Sequence, residues 1–163
     1  MKRKMHQLLL IAILTNCALP CYAGERIDLE VQYVSDGDTI KSFTESSAKA
    51  EWVRLAQIDA PEKNQPFGLE SKAMLKNLLD CPAPLQLEAI GRDRYKRIIG
   101  EIYCGGQSIN KQMVQHGGAW FYTKYATDPN LAAIENEARV AKIGLWAAPN
   151  AIAPWAWRKA KQQ

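Results

Sequence analysis

The chain has little histidine, little cysteine and little net charge, and each shortage removes a class of function. Only two histidines occur among 163 residues. One of them, His6, lies in an N-terminal leader-like stretch, so a body beginning near Gly24 keeps His116 alone. A zinc site built on histidines and a Ser-His-Asp triad are therefore nearly excluded. No apolar run is long enough to cross a bilayer: the longest, Leu8–Leu14, suits the core of a signal peptide. No internal repeat, low-complexity block or linker divides residues 24–163.

The first residues read MKRKMHQLLLIAILTNCALPCYAGER. Lys2, Arg3 and Lys4 precede the apolar run, and Cys21-Tyr22-Ala23 follows as a small-residue site, the order of a secretory signal peptide with cleavage after Ala23. Acylation at Cys17 or Cys21 is the alternative, although Asn16 and Pro20 occupy positions where small residues are expected before the cysteine. The reading predicts a secreted or periplasmic protein without a transmembrane anchor after cleavage. Removing Lys2, Arg3 and Lys4 from 21 basic residues leaves 18 against 17 acidic ones, a net charge of about +1. Affinity for a polyanion must then come from local clustering, not from the overall charge. Of four cysteines, Cys81 and Cys104 remain; in an oxidising compartment they suggest one disulfide, with two buried thiols as the alternative.

Within a mature body of about 140 residues, enough for one domain, Ile27, Leu29, Val31 and Tyr33 alternate with period two and predict a strand. Ser35-Asp36-Gly37-Asp38 is turn chemistry, Thr39–Phe43 resumes extended structure, and Trp52–Ile58 is a third strand. Pro66 and Gly68 open a helix through Asp80, with Met74, Leu75, Leu78 and Leu79 on one face. Two more strands, Leu85–Ile90 and Ile98–Cys104, flank the charged segment GRDRYKR. A helix over Ile109–His116 follows, then one with Asp128 as N-cap, Pro129 at its first position and Gly144 at its end. Five short strands with a helix between the third and fourth fit an α+β fold, a five-stranded OB-type Greek-key barrel with three packed helices; an open α+β sheet is also compatible with the periodicity.

Three charged motifs carry candidate chemistry, and each also has a plain structural reading. DGDT sets Asp36 and Asp38 about a glycine, as a hairpin turn does. In RLAQIDAPE, residues 54–62, Pro61 forces Ala60 extended and holds Asp59 and Glu62 on a stiff corner at a strand end. Such hard oxygen donors suit Ca²⁺ or Mg²⁺, with Asp38 as a second carboxylate; a solvated corner is the alternative. DRYKR at 93–97 is either a soluble charged turn or a phosphate grip, with Arg94 and Arg97 as forks and Tyr95 as a stacking face. Arg54 and Asp59 are five residues apart, so a straight strand would set them ~16 Å apart on opposite faces. A shared site requires the strand to curl or bulge.

Taken in order, SDGDT at 35–39, RLAQIDAPE at 54–62, FGLES at 67–71, DRYKR at 93–97, Asn110 with Met113-Val114, and KIGLW at 142–146 resemble the staphylococcal-nuclease-like, or thermonuclease, family from about Ile27 to Trp146. The resemblance implies an OB barrel with three helices and Ca²⁺-dependent hydrolysis of DNA or RNA that leaves 3′-phosphate ends. By position it assigns Asp38, Asp59 and the Ala60 carbonyl to the metal, Arg54, Glu62 and Arg97 to catalysis, and Arg94, Tyr95 and Tyr125 to substrate binding. Asp36 becomes a neighbour of the metal. The family usually has threonine where Ala60 stands, but the carbonyl survives that change. The expected organisation is a signal peptide at 1–23, a nuclease domain at 24–150 and a basic, tryptophan-containing tail at 151–163, where Trp155 and Trp157 pack on the barrel; binding of DNA or lipid by the tail, through Arg158, Lys159 and Lys161, is the alternative. No stable protein partner is evident. The competing reading is a non-catalytic OB-type nucleic-acid-binding module, from which the acids and arginines would typically be lost.

Overall fold

The computed structural model describes residues 24–45 and 47–161; the leader with its cysteines lies outside them. Five strands form the frame: β1 (Arg26–Val34), β2 (Thr39–Thr44), β3 (Glu51–Leu55), β5 (Leu85–Arg92) and β6 (Ile98–Cys104). A two-residue strand, β4 (Ile58–Asp59), comes between β3 and the first helix, α1 (Gly68–Leu79). β1 to β3 form an antiparallel meander; β5 pairs with β1, and β6 with β5. A parallel pairing of β3 with β6, Val53 opposite Ile98 and Leu55 opposite Gly100, closes the ring. The molecule is thus a closed five-stranded barrel of the OB type.

The interior is filled by the inward residues of this frame. Ile40, Val53, Leu55, Leu87 and Ile102 are fully buried, and α1 adds Leu75 and Leu79 from its apolar face. One expectation changes in β1. The register shifts between Val31 and Tyr33, so Gln32 is an extra residue. The bulge turns Tyr33 outward, half exposed, and sends Val34 inward.

After β6 come β7 (Gln107–Ser108), α2 (Ile109–Gln115), β8 (Trp120–Phe121), α3 (Pro129–Val140) and, past a 3-10 turn at Gly144–Ala147, a fourth helix α4 (Pro154–Ala160). This is one helix more than the three that the sequence predicts. The fourth lies in the tail, where seven residues are too few to display a helical repeat in sequence. α3 stops at Val140, short of Gly144, because the chain turns through positive φ at Lys142 and again at Gly144. Cys81, after α1, is disulfide-bonded to Cys104 at the end of β6, with Cα atoms 6.5 Å apart.

Candidate active site

The turn after β1 makes the first wall. Asp36 accepts a hydrogen bond from the Asp38 amide (3.1 Å), while Asp38 accepts from the Thr39 hydroxyl (2.9 Å) and the Ala60 amide (2.7 Å). Gly37 is required for packing: a Cβ there would collide with the Ser71 hydroxyl of α1. The DGDT segment is therefore a turn whose fixed geometry also directs two carboxylates to one place. Burial, reinforced by neighbouring Asp38, pushes the Asp36 carboxyl up to about 7.

The second wall comes from RLAQIDAPE, which does not run straight. β3 ends at Leu55, the chain turns at Ala56-Gln57 with Gln57 at φ 66°, and β4 returns it to pair with β8. Buried Asn110 of α2 clamps this turn: its amide donates to the Ala56 and Gly100 carbonyls and accepts from the Ile102 amide. The reversal brings Arg54 Nη2 to 2.9 Å from Asp59 and 3.1 Å from Asp38, while Nη1 donates to the Leu55 carbonyl at 2.7 Å. Asp59 is almost completely buried. Its carboxyl is raised above the usual range by burial, against the lowering effect of hydrogen bonds from Arg158.

The third wall is the turn between β5 and β6. Asp93 accepts from the Tyr95 and Arg97 amides (2.9 and 3.0 Å) and from Arg97 Nε (2.7 Å), and Lys96 takes φ 66° to complete the loop. Burial alone would raise the Asp93 carboxyl, but the hydrogen bonds from Arg97 and Tyr95 bring it below the usual range. The Arg94 guanidinium lies 4.8 Å from the exposed Tyr95 ring. Across the opening Tyr125, also exposed, meets Tyr122 edge-on at 5.0 Å.

These walls enclose a cavity of about 690 Å³. Asp36, Asp38, Arg54, Asp59, Ala60, Glu62, Arg94, Tyr95, Arg97 and Tyr125 all line it. The residues singled out in the three charged motifs, together with Tyr125, therefore share one cavity. The two arginines differ in how they are held there. Arg54 is locked among carboxylates, whereas Arg97 pairs with Asp93, on its own loop, and lies 5.6 Å from the Tyr95 ring. Cys81 and Cys104 are not among the cavity-lining residues.

The cavity also takes in residues that the sequence does not assign to the site, among them Tyr122, Lys124 and Arg158. Arg158 of α4 donates from Nη1 to Glu62 (2.7 Å) and Asp59 (3.2 Å), and from Nη2 to the other Asp59 oxygen (2.7 Å). Burial opposes its charge, but the hydrogen bonds to Asp59 and Glu62 prevail and raise its basicity. α4 is anchored beside the cavity: the Trp155 ring stacks on Tyr122 at 5.3 Å with planes 7° apart, and meets Trp120 edge-on. The sequence marks Arg158 as one cation of a basic tail and not as a partner of this site, because its partners lie 96 and 99 residues earlier.

A cation could be held where Asp38, Asp59 and Ala60 meet. Among the described residues no group of three or more His, Cys, Asp or Glu is placed to hold a metal ion by itself. The donor set is instead two buried carboxylates beside a strand-end backbone, with Asp36 next to them. Burial is the main cause that raises Asp36 and Asp59, Arg54 and Arg158 pair with the Asp59 oxygens, and oxygen donors of this kind fit a hard divalent ion.

Known proteins resemble this chain over most of its length. The family described as "Staphylococcal nuclease homologue" matches residues 52–148. An uncharacterised endonuclease of Escherichia coli is 44% identical over 129 residues, covering 78% of this chain and 82% of that protein. One from Haemophilus influenzae is 40% identical over 152 residues, covering 93% and 82%. A protein of Shigella flexneri named micrococcal nuclease is 38% identical over 162 residues, covering 93% and 90%.

Proposed function

This chain belongs to the staphylococcal nuclease homologue family, and from that premise we propose that it is an exported, Ca²⁺-dependent nuclease that hydrolyses phosphodiester bonds in DNA, and in RNA, leaving 3′-phosphate ends. The observation that carries the reading is the fold-back at Gln57, which sets Arg54 2.9 Å from Asp59 inside the cavity that Glu62 and Arg97 also line.

Hydrolysis of a phosphodiester builds negative charge on the phosphate oxygens, so the site must offer cations where that charge appears. Asp38, Asp59 and the Ala60 carbonyl would hold Ca²⁺, whose contribution is Lewis-acid stabilisation of that charge. Arg97 offers its guanidinium fork to the phosphate from the β5–β6 turn, and Arg54 reaches it from the adjoining strand β3, braced by the Leu55 carbonyl and Asp59. Glu62 orients the attacking water and takes its proton, a contribution of ~10²–10⁴-fold for a general base. Water's oxygen bonds to phosphorus as the bond to the 5′ oxygen breaks, and that oxygen leaves as a hydroxyl after taking up a proton. Arg94, Tyr95 and Tyr125 form the rim against which nucleotide phosphate and base would rest.

Export rests on the leader at residues 1–23, outside the described part, and is supported by the disulfide, which suits an oxidising compartment. No helix among the described residues is long and apolar enough to cross a membrane. The test is digestion of single-stranded DNA and of RNA with Ca²⁺ or with chelator, followed by analysis of product ends. Cleavage with Ca²⁺ alone, to fragments that a polymerase extends only after phosphatase treatment, is expected. Tight binding without cleavage would contradict the proposal and favour a binding module.

A further inference from the structure

Glu62 lies on the segment between β4 and α1 with its side chain 38% exposed. A side chain so placed samples several rotamers unless something holds it. Among the described residues, Arg158 is the only cation paired with its carboxylate. The same guanidinium makes a two-pronged contact with Asp59, which is 1% exposed. Arg158 thus spans from a fixed, buried carboxylate to a half-exposed one, and its planar fork transfers the position of the first to the second.

A second tie reinforces the same segment. Gln65 accepts from the Glu62 amide (3.1 Å) and donates to the Ile152 carbonyl just before α4 (2.6 Å). Gly68, at the start of α1, leaves no room for a Cβ against the Glu62 carbonyl, so the segment is packed from beneath as well. α4 itself is fixed independently of Arg158, through Trp155 on Tyr122 and Trp120.

We infer that Arg158 is a positioning residue of the nuclease site, holding Glu62 in register with Asp59, and that the C-terminal helix is therefore part of the catalytic apparatus. The inference rests on the proposed function, in which Glu62 handles the attacking water. A displacement of Glu62 by about 1 Å is enough to cost about 10²-fold in rate.

The test uses the full mature protein with Arg158→Ala and Arg158→Lys. For Arg158→Ala, kcat on single-stranded DNA should fall about 10- to 100-fold with KM within about threefold. Arg158→Lys, which keeps the charge but not the fork, should recover part of the loss. In parallel, hydrogen exchange of the amides from Glu62 to Gln65 should quicken at least about tenfold in Arg158→Ala, while tryptophan fluorescence shows α4 still docked. Unchanged exchange, or unchanged or increased kcat, would overturn the inference; a rise in kcat accompanied by tighter Ca²⁺ binding would identify Arg158 as a plug competing with the metal. Should Arg158→Ala not fold, Arg158→Lys decides by the same two readouts. Exchange is read without turnover, so a wild-type protein that fails to cut nucleic acid would defeat the functional reading and leave this inference separately testable.

Discussion

Arg54 and Arg97 are the same residue in opposite circumstances. Arg54 pairs with buried Asp38 and Asp59; Asp59 also has Arg158, but removing Arg54 would take from buried Asp38 its ion pair and endanger folding. Arg97 pairs with Asp93 on the same part-buried turn and lies over Tyr95, local contacts worth ~1 kcal/mol or less. Arg97→Ala should therefore leave the thermal midpoint nearly unchanged and reduce kcat by ~10²-fold or more, the loss expected when a preorganised donor to the transition state is removed. Parallel rate and melting measurements check this; a near-wild-type rate would remove Arg97 from the mechanism. The residue types of the site are legible in the sequence because the charged motifs occur in the order of one family, although each alone also reads as a turn or a solvated corner. Their proximity is not: Arg54 and Asp59 meet only because Gln57 adopts positive φ and Asn110 clamps the turn. Arg158 is illegible as a site residue for a stronger reason, since its partners are set by tertiary docking alone.

Among the elements, α3 shows what local signals can and cannot convey. Its start is readable from Asp128-Pro129, and the Asp128 carboxylate does accept from the Asn130 amide at 2.9 Å. Its pairing with Lys111 of α2, at 2.9 Å, has no sequence signal. The hydrogen bond from Lys111 and that from the Asn130 amide bring Asp128 below its usual value of 3.8. A depressed carboxyl stabilises the fold at pH above its unfolded value and loses that contribution as pH falls through the folded one. Asp128→Ala should thus lower stability by ~1 kcal/mol at neutral pH. The gap from wild type should narrow below about pH 4, as denaturant unfolding at several pH values would show. The two-residue strands β4, β7 and β8 escape detection because two residues display no period. The bulge at Gln32 does so because an inserted residue leaves the alternation looking intact until partners are known.

For the whole molecule, the meander is readable but the closure is not: β3 and β6 pair in parallel across more than forty residues, a relation that hairpin spacing cannot signal. That closure sets Arg54 and Arg97 on adjoining strands, because Arg54 lies opposite Ile99, two residues beyond Arg97. The disulfide from the end of α1 to the end of β6 ties the helix to the barrel over a separation of 23 residues. Reduction should cost ~3 kcal/mol in denaturant unfolding. Mass spectrometry of the unreduced protein should show the Cys81–Cys104 peptide; two alkylatable thiols would contradict it.

The most direct test of the central claim, that a divalent ion, arginine forks and one carboxylate share a single pocket, is the location of Ca²⁺ by its anomalous scattering in crystals grown with a non-hydrolysable dinucleotide. The account predicts the ion between Asp38, Asp59 and the Ala60 carbonyl, with the phosphate against Arg97 and Glu62 within reach. An ion bound elsewhere, or a phosphate seated away from Arg97, would contradict it.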